Sequence, residues 1–155
     1  MSDSFDFISP SDKPALLGIS TMDWLVKCRT DLTDLGYKVH VAADHEEFLN
    51  RFNRAQYQVV VLERQFASAT QEDNLSLASL QRLSAAQRRH SVIFLLGDGL
   101  QSLNPFQAFQ FSVHAVINRS EMDSFKPIVQ QIVAENDVFL RVFRDALLQI
   151  NSWGK

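Results

Sequence analysis

The chain has 155 residues, enough for one domain with a full core and too few for two ordinary ones. Its net charge of −3, with both signs mixed along the sequence, argues against a nucleic-acid-binding surface, which needs a basic excess. The single cysteine, Cys28, excludes a disulfide framework, and with the scattered His40, His45, His90 and His114 it offers no zinc or other metal ligand set.

No apolar run approaches the roughly 20 residues of a membrane span. The acidic start, Met1 to Phe7, lacks the basic region of a signal peptide. A cytoplasmic location and no membrane partner are the expectations. Residues 1–14, polar and punctuated by Pro10 and Pro14, read as a flexible leader.

From Ala15 a regular alternation begins. Ala15 to Ile19 is a short apolar strand. Thr21 to Leu35 is an amphipathic helix carrying Trp24, Leu25, Cys28, Leu32 and Leu35 at spacings of three and four, and Gly36 stops it. Lys38 to Ala43 alternates polar and apolar, as a strand near a sheet edge does. Asp44 caps the next helix, with Glu46 and Glu47 in its first turn.

Gln58 to Leu62 is a strand buried on both faces, and it ends in a carboxylate, Glu63. Leu75 to Ala86 reads as one helix, with Leu77, Leu80 and Leu83 inward. Ser91 to Leu96 is a second strand buried on both faces. After the turn at Gly97-Asp98-Gly99 comes a Phe-rich helical segment, then a fifth strand over Val113 to Ile117. A long helix fills the rest, from about Ser124 to Ile150. Buried strands alternating with amphipathic helices predict a parallel α/β sheet covered on both faces. No Gly-rich phosphate motif is present.

Gly36 to Val39, Ala43 to Leu49 and the strand ending at Glu63 resemble the receiver domains of two-component response regulators, over about residues 15–135. The resemblance implies a flavodoxin-like (βα)5 fold, a five-stranded parallel sheet in the order 2-1-3-4-5, here with an extended C-terminal helix over 136–155. It also implies a Mg²⁺-binding acidic pair, a phosphoacceptor Asp, a Thr or Ser and a Lys at the strand ends. In this chain those positions fall on Ile19 and Ser20, Glu63, Leu96 and Asn118, with Arg119 where a Pro usually follows.

The chemistry is therefore expected to be gone. Mg²⁺ needs hard anionic oxygens, which Ile19 and Ser20 lack. Phosphoryl transfer needs a metal and a cation to stabilise spread negative charge, which Leu96 and Asn118 do not supply. The resemblance thus points to a degenerate receiver: no enzyme, no cofactor, and a regulatory protein partner. An atypical receiver still controlled by phosphorylation and a flavodoxin-like domain binding a small ligand are the alternatives.

Three readings of Glu63 stay open: a mimic of a phosphorylated Asp, a carboxylate paired with Arg64 or Arg119, or a solvated strand end. Cys28, on an apolar helix stripe, reads as structural. Phe106, Phe109 and Phe111 divide between core and a partner-binding patch. Along the last helix Phe125, Val129, Ile132, Asn136, Phe139, Phe143, Ala146, Ile150 and Trp153 follow a four-three spacing, a heptad seam. With Leu147 beside it, this seam predicts a homodimer through the extension or docking to another protein. A break of the helix at Asn136-Asp137 is the competing expectation.

Overall fold

A computed structural model describes residues 7–67 and 74–153. The first six residues of the predicted leader, part of the loop after Glu63 and the last two residues lie outside the described residues.

Five strands, β1 (Pro14–Gly18), β2 (Lys38–Val41), β3 (Val59–Glu63), β4 (Val92–Gly97) and β5 (Ala115–Asn118), form one parallel sheet in the order β2-β1-β3-β4-β5. The three inner strands β1, β3 and β4 are buried along their whole length, which is why they read as continuous apolar runs. Helices α1 (Met22–Asp34) and α6 (Phe125–Trp153) cover one face, over Leu17, Val61, Phe94 and Ile117. Helices α2 (His45–Arg54), α3 (Leu75–Gln81), a one-turn α4 (Ala85–Arg88) and α5 (Pro105–Phe111) lie on the other side, where Leu16, Val60, Leu62, Ile93 and Leu95 form the core. A 3₁₀ segment, Arg119–Ser124, joins β5 to α6.

Local signals set these boundaries. Asp44 Oδ1 accepts from Glu47 N at 2.8 Å, and Glu47 Oε1 accepts from Ala43 N at 2.7 Å, a reciprocal cap that starts α2. Gly36 sits at φ +90°, the left-handed conformation that ends α1. The single helix expected over Leu75 to Ala86 is instead two. Ser84 accepts from Gln87 N while Gln87 Oε1 accepts from Ser84 N, so a second capping box restarts the chain as α4. The fifth strand begins two residues later than the sequence suggests, because His114 is used as a strand-entry clamp. Its N–H donates to Ile93 O at 2.8 Å, and its Nδ1 accepts from Ile93 N at 3.0 Å.

The last helix runs unbroken from Phe125 to Trp153, through Asn136 and Asp137 where a break was the competing expectation. Its first turns bury Phe125, Ile128 and Val129, and beyond them it carries no buried side chain. Among the described residues no helix is long and apolar enough to cross a membrane.

Burial, and then the charge of Arg88, lower the His114 pKa from 6.5 to about 4. The unfolded chain thus takes up this proton before the folded one. The contribution of neutral His114 is complete above pH 6.5 and is lost as pH falls toward 4. Urea midpoints measured across this window fall on acidification, and His114→Gln flattens that fall. An equal fall in the variant places the acid sensitivity elsewhere.

Candidate functional site

The carboxyl ends of the strands converge on one edge. Glu63 is in register with Leu96 on β4, and Gly97 with Asn118 on β5. Gly18 is in register with Leu62, so Ile19 and Ser20 leave β1 beside Glu63. All five positions matched to the phosphorylation machinery therefore stand at this edge.

Glu63 is only 6% exposed. Its Oε1 accepts from Ser20 N at 2.8 Å and Thr21 N at 2.9 Å, and its Oε2 accepts from Thr21 Oγ1 at 2.8 Å. Thr21 is the N-cap of α1, yet its hydroxyl caps nothing within that helix. Its hydroxyl and the N–H groups of Ser20 and Thr21, just before the helix, are instead taken up by Glu63, on a strand about forty residues away in sequence. A negative group at a helix N-terminus meets unpaired N–H groups and the positive end of the helix dipole. Glu63 thus neither stands in solvent nor binds a guanidinium, which corrects two of the three readings. Strand β4 lies between β3 and β5, so Arg119 meets the loop after β4 instead. Its Nη1 lies 3.2 Å from Asp98 Oδ2, in an exposed pair.

Arg64 turns the same way. Its Nη1 donates to Asp98 O at 3.0 Å, and its guanidinium stands 5.2 Å from the Phe111 ring centre. Two glycines make room. A Cβ on Gly97 would lie 3.0 Å from Arg64 Cβ, and one on Gly99 would lie 3.2 Å from Arg64 Nη1.

The other positions are engaged in structure. Ile19 and Leu96 are buried in the core beneath α1 and α6. Ser20 Oγ accepts from Ala67 N at 2.8 Å. Asn118 Nδ2 donates to Leu100 O at 2.6 Å, and its Oδ1 accepts from Ser120 N at 2.9 Å. The donor set does not fit Mg²⁺. Among the described residues, beside β1 it offers one apolar side chain and one hydroxyl already used, and the carboxylate of Glu63 has both oxygens engaged. Among the described residues no group of three or more His, Cys, Asp or Glu is arranged to hold a metal.

Two contributors escape sequence reasoning. Thr21 carries an ordinary helix-start signal, but nothing local says that its hydroxyl faces Glu63. Asn74, 1% exposed, donates from Nδ2 to Glu63 O and Arg64 O, both at 3.1 Å, while its Oδ1 accepts from Leu77 N. Its position just before an apolar run marks it as an N-cap, and the strand contact is the unseen half. Cys28 is buried, and burial pushes its thiol pKa up, so it is no nucleophile.

Of the candidate contact residues, Phe106 and Phe109 are 82% and 86% exposed. Phe111 is buried beneath α5 and is corrected from surface to core, because Ala108 and Phe111 form the inward face of that helix. Phe139, Leu147 and Ile150 are exposed, and Phe143 is half-buried under the Arg89 guanidinium, 4.1 Å from its ring centre.

No family model and no curated protein matches the chain. Solved structures do match. A response regulator of Chloroflexus aurantiacus is 14% identical at a TM-score of 0.63, covering 80% of this chain and 99% of that one. The chemotaxis response regulator CheY4 of Vibrio cholerae is 16% identical at a TM-score of 0.58, covering 78% and 98%. The fold is that of a receiver domain. A fusion protein carrying the trimeric coiled coil of yeast Spc42 is also similar, 15% identical at a TM-score of 0.62, covering 94% of this chain and 92% of that one.

Replacing Glu63 by Ala leaves the Ser20 and Thr21 N–H groups without their acceptor. A loss of about 1–3 kcal/mol in unfolding free energy is expected, together with faster amide exchange at the first turn of α1. Unchanged exchange at Ser20 and Thr21 would show that the carboxylate does not hold this turn.

Proposed function

We propose that this receiver fold serves as a regulatory module that acts by protein contact, with neither phosphoryl transfer nor Mg²⁺ at its strand ends. The observation that carries this reading is the Glu63 carboxylate, both of whose oxygens accept from the start of α1. A phosphoryl acceptor needs an accessible oxygen, a metal and a cation beside it. Ile19, Ser20, Leu96 and Asn118 provide none of these.

The reading is tested with radiolabelled acetyl phosphate and, separately, beryllofluoride, each with excess Mg²⁺. No label on the protein and no metal-dependent beryllofluoride binding are expected. Glu63→Asp stays unlabelled too, since its neighbours remain unable to bind metal. Label on residue 63 in either protein overturns the reading.

The contact surface we propose is the extended half of α6, with Phe106 and Phe109 as a second patch. Phe139, Ile150 and Trp153 are 57%, 55% and 73% exposed, more apolar surface than one helix ordinarily leaves in water. The two response regulators cover no more than 80% of this chain, whereas the neighbour covering 94% carries a coiled coil. The coiled coil of that neighbour is trimeric and belongs to a fusion, so it speaks for self-association alone, while the exposed apolar seam of α6 favours a homodimer through the helix. Light scattering on the full chain reads a dimer mass, and Phe139→Asp with Ile150→Asp reads a monomer. A full-length monomer at high micromolar concentration removes the dimer from the proposal.

A further inference from the structure

The overhang of α6 from Asp137 to Trp153 is about 25 Å long at a helical rise of about 1.5 Å per residue. Its seam residues are Asn136, Phe139, Phe143, Ala146, Ile150 and Trp153. Reversing this series reproduces its own spacing, so the seam can face a second copy running the opposite way. Every seam residue then has a partner: Phe143 meets the partner's Ala146, Phe139 meets the partner's Ile150, and Asn136 meets the partner's Trp153.

We infer that two copies of this chain pair their α6 overhangs antiparallel in this register. The inference rests on the homodimer proposed above and adds its orientation. Volume favours it. A parallel, in-register pair would set Phe143 against Phe143 and Ala146 against Ala146, giving one overfilled layer and one hollow layer. The antiparallel pair instead sets Phe143 against Ala146 and Trp153 against Asn136, large against small in two of its three kinds of layer, and avoids the Phe143–Phe143 clash and the Ala146–Ala146 void. On one flank it also brings Leu140 beside the partner's Leu147, extending the apolar strip.

A second observation concerns where the helix ends arrive. Beside Asn136 the domain presents a notch of about 270 Å³ lined by Arg88, Arg89, His114, Phe139 and Phe143. A cavity of about 150 Å³ accepts a benzene ring, so this one accommodates an indole. In the antiparallel register the partner's Trp153 reaches this notch. The last carbonyls of the partner's helix carry its negative dipole end, and they arrive beside the Arg89 guanidinium; that of Arg88 is engaged by the carbonyls of Leu80, Gln81, Leu83 and Ser112. Charge and shape therefore agree on a second copy as the occupant.

Spin labels on the full chain test the orientation. Asp145 and Ser152 are exposed, so Asp145→Cys and Ser152→Cys leave the core intact, and the buried Cys28 does not take up label. In the antiparallel pair the two labels at 145 lie about 1.5 Å apart along the axis, and the two at 152 about 22 Å apart. A short separation at 145 with a much longer one at 152 is expected. Equal separations at both sites mean a parallel pair, which overturns this inference and leaves the dimer standing. No dipolar signal at either site overturns both. Trp153→Ala separately weakens the dimer about tenfold or more if its indole fills the notch, and an unchanged dissociation constant refutes that placement.

Discussion

A carboxylate buried at the tip of a central strand is tolerable only when its charge is answered nearby. Here the answer is the open end of a helix. Glu63 takes two backbone N–H groups and one hydroxyl from Ser20 and Thr21, and this contact fixes how β1 hands over to α1. The consequences spread outward. Ser20, held in place, accepts from Ala67 N across the edge. Asn74 ties the backbone carbonyls of Glu63 and Arg64 to the start of α3. Arg64, leaving the strand on the other side, lies along Gly97 and Gly99 toward Asp98. The edge is closed by direct hydrogen bonds among its own members.

The same reasoning explains why the length of the β3 carboxylate matters. A Glu reaches one methylene further than an Asp. In this fold the added reach carries the oxygens to Ser20 and Thr21, where the chain enters α1. A metal would have to draw the carboxylate away from three hydrogen bonds while offering no compensating ligand from Ile19. The five strand-end positions thus form a consistent set, each filled by a residue suited to packing or capping.

Much of this was legible in the sequence. The apolar runs of β1, β3 and β4 mark strands buried on both faces, and the caps at Asp44 and Gly36 mark helix boundaries, because these signals are local. The strand-end positions came from the receiver resemblance, and the structure brings all five to one edge of the sheet. What was not legible is what depends on distant approach. The engagement of Glu63 by Thr21 and the bridging role of Asn74 join residues far apart in the chain. The expectation that Glu63 meets Arg119 failed because a whole strand lies between them. The single helix drawn over 75–86 missed Ser84, whose capping box outweighs the continued apolar spacing. Phe111 could be separated from Phe106 and Phe109 only once the rotation of a seven-residue helix was known.

Asn74 has one further consequence. By gripping Glu63 O and Arg64 O with one end of its amide and Leu77 N with the other, it joins the exit of β3 directly to the entry of α3. The geometry of those two elements is thereby uncoupled from the number of residues between them. Closing a longer connection costs little, about 0.6 kcal/mol for each doubling of its length. The β3–α3 connection is thus a place where the chain can gain or lose residues over evolutionary time, acquiring new surface without disturbing the strand tip or the core beneath it.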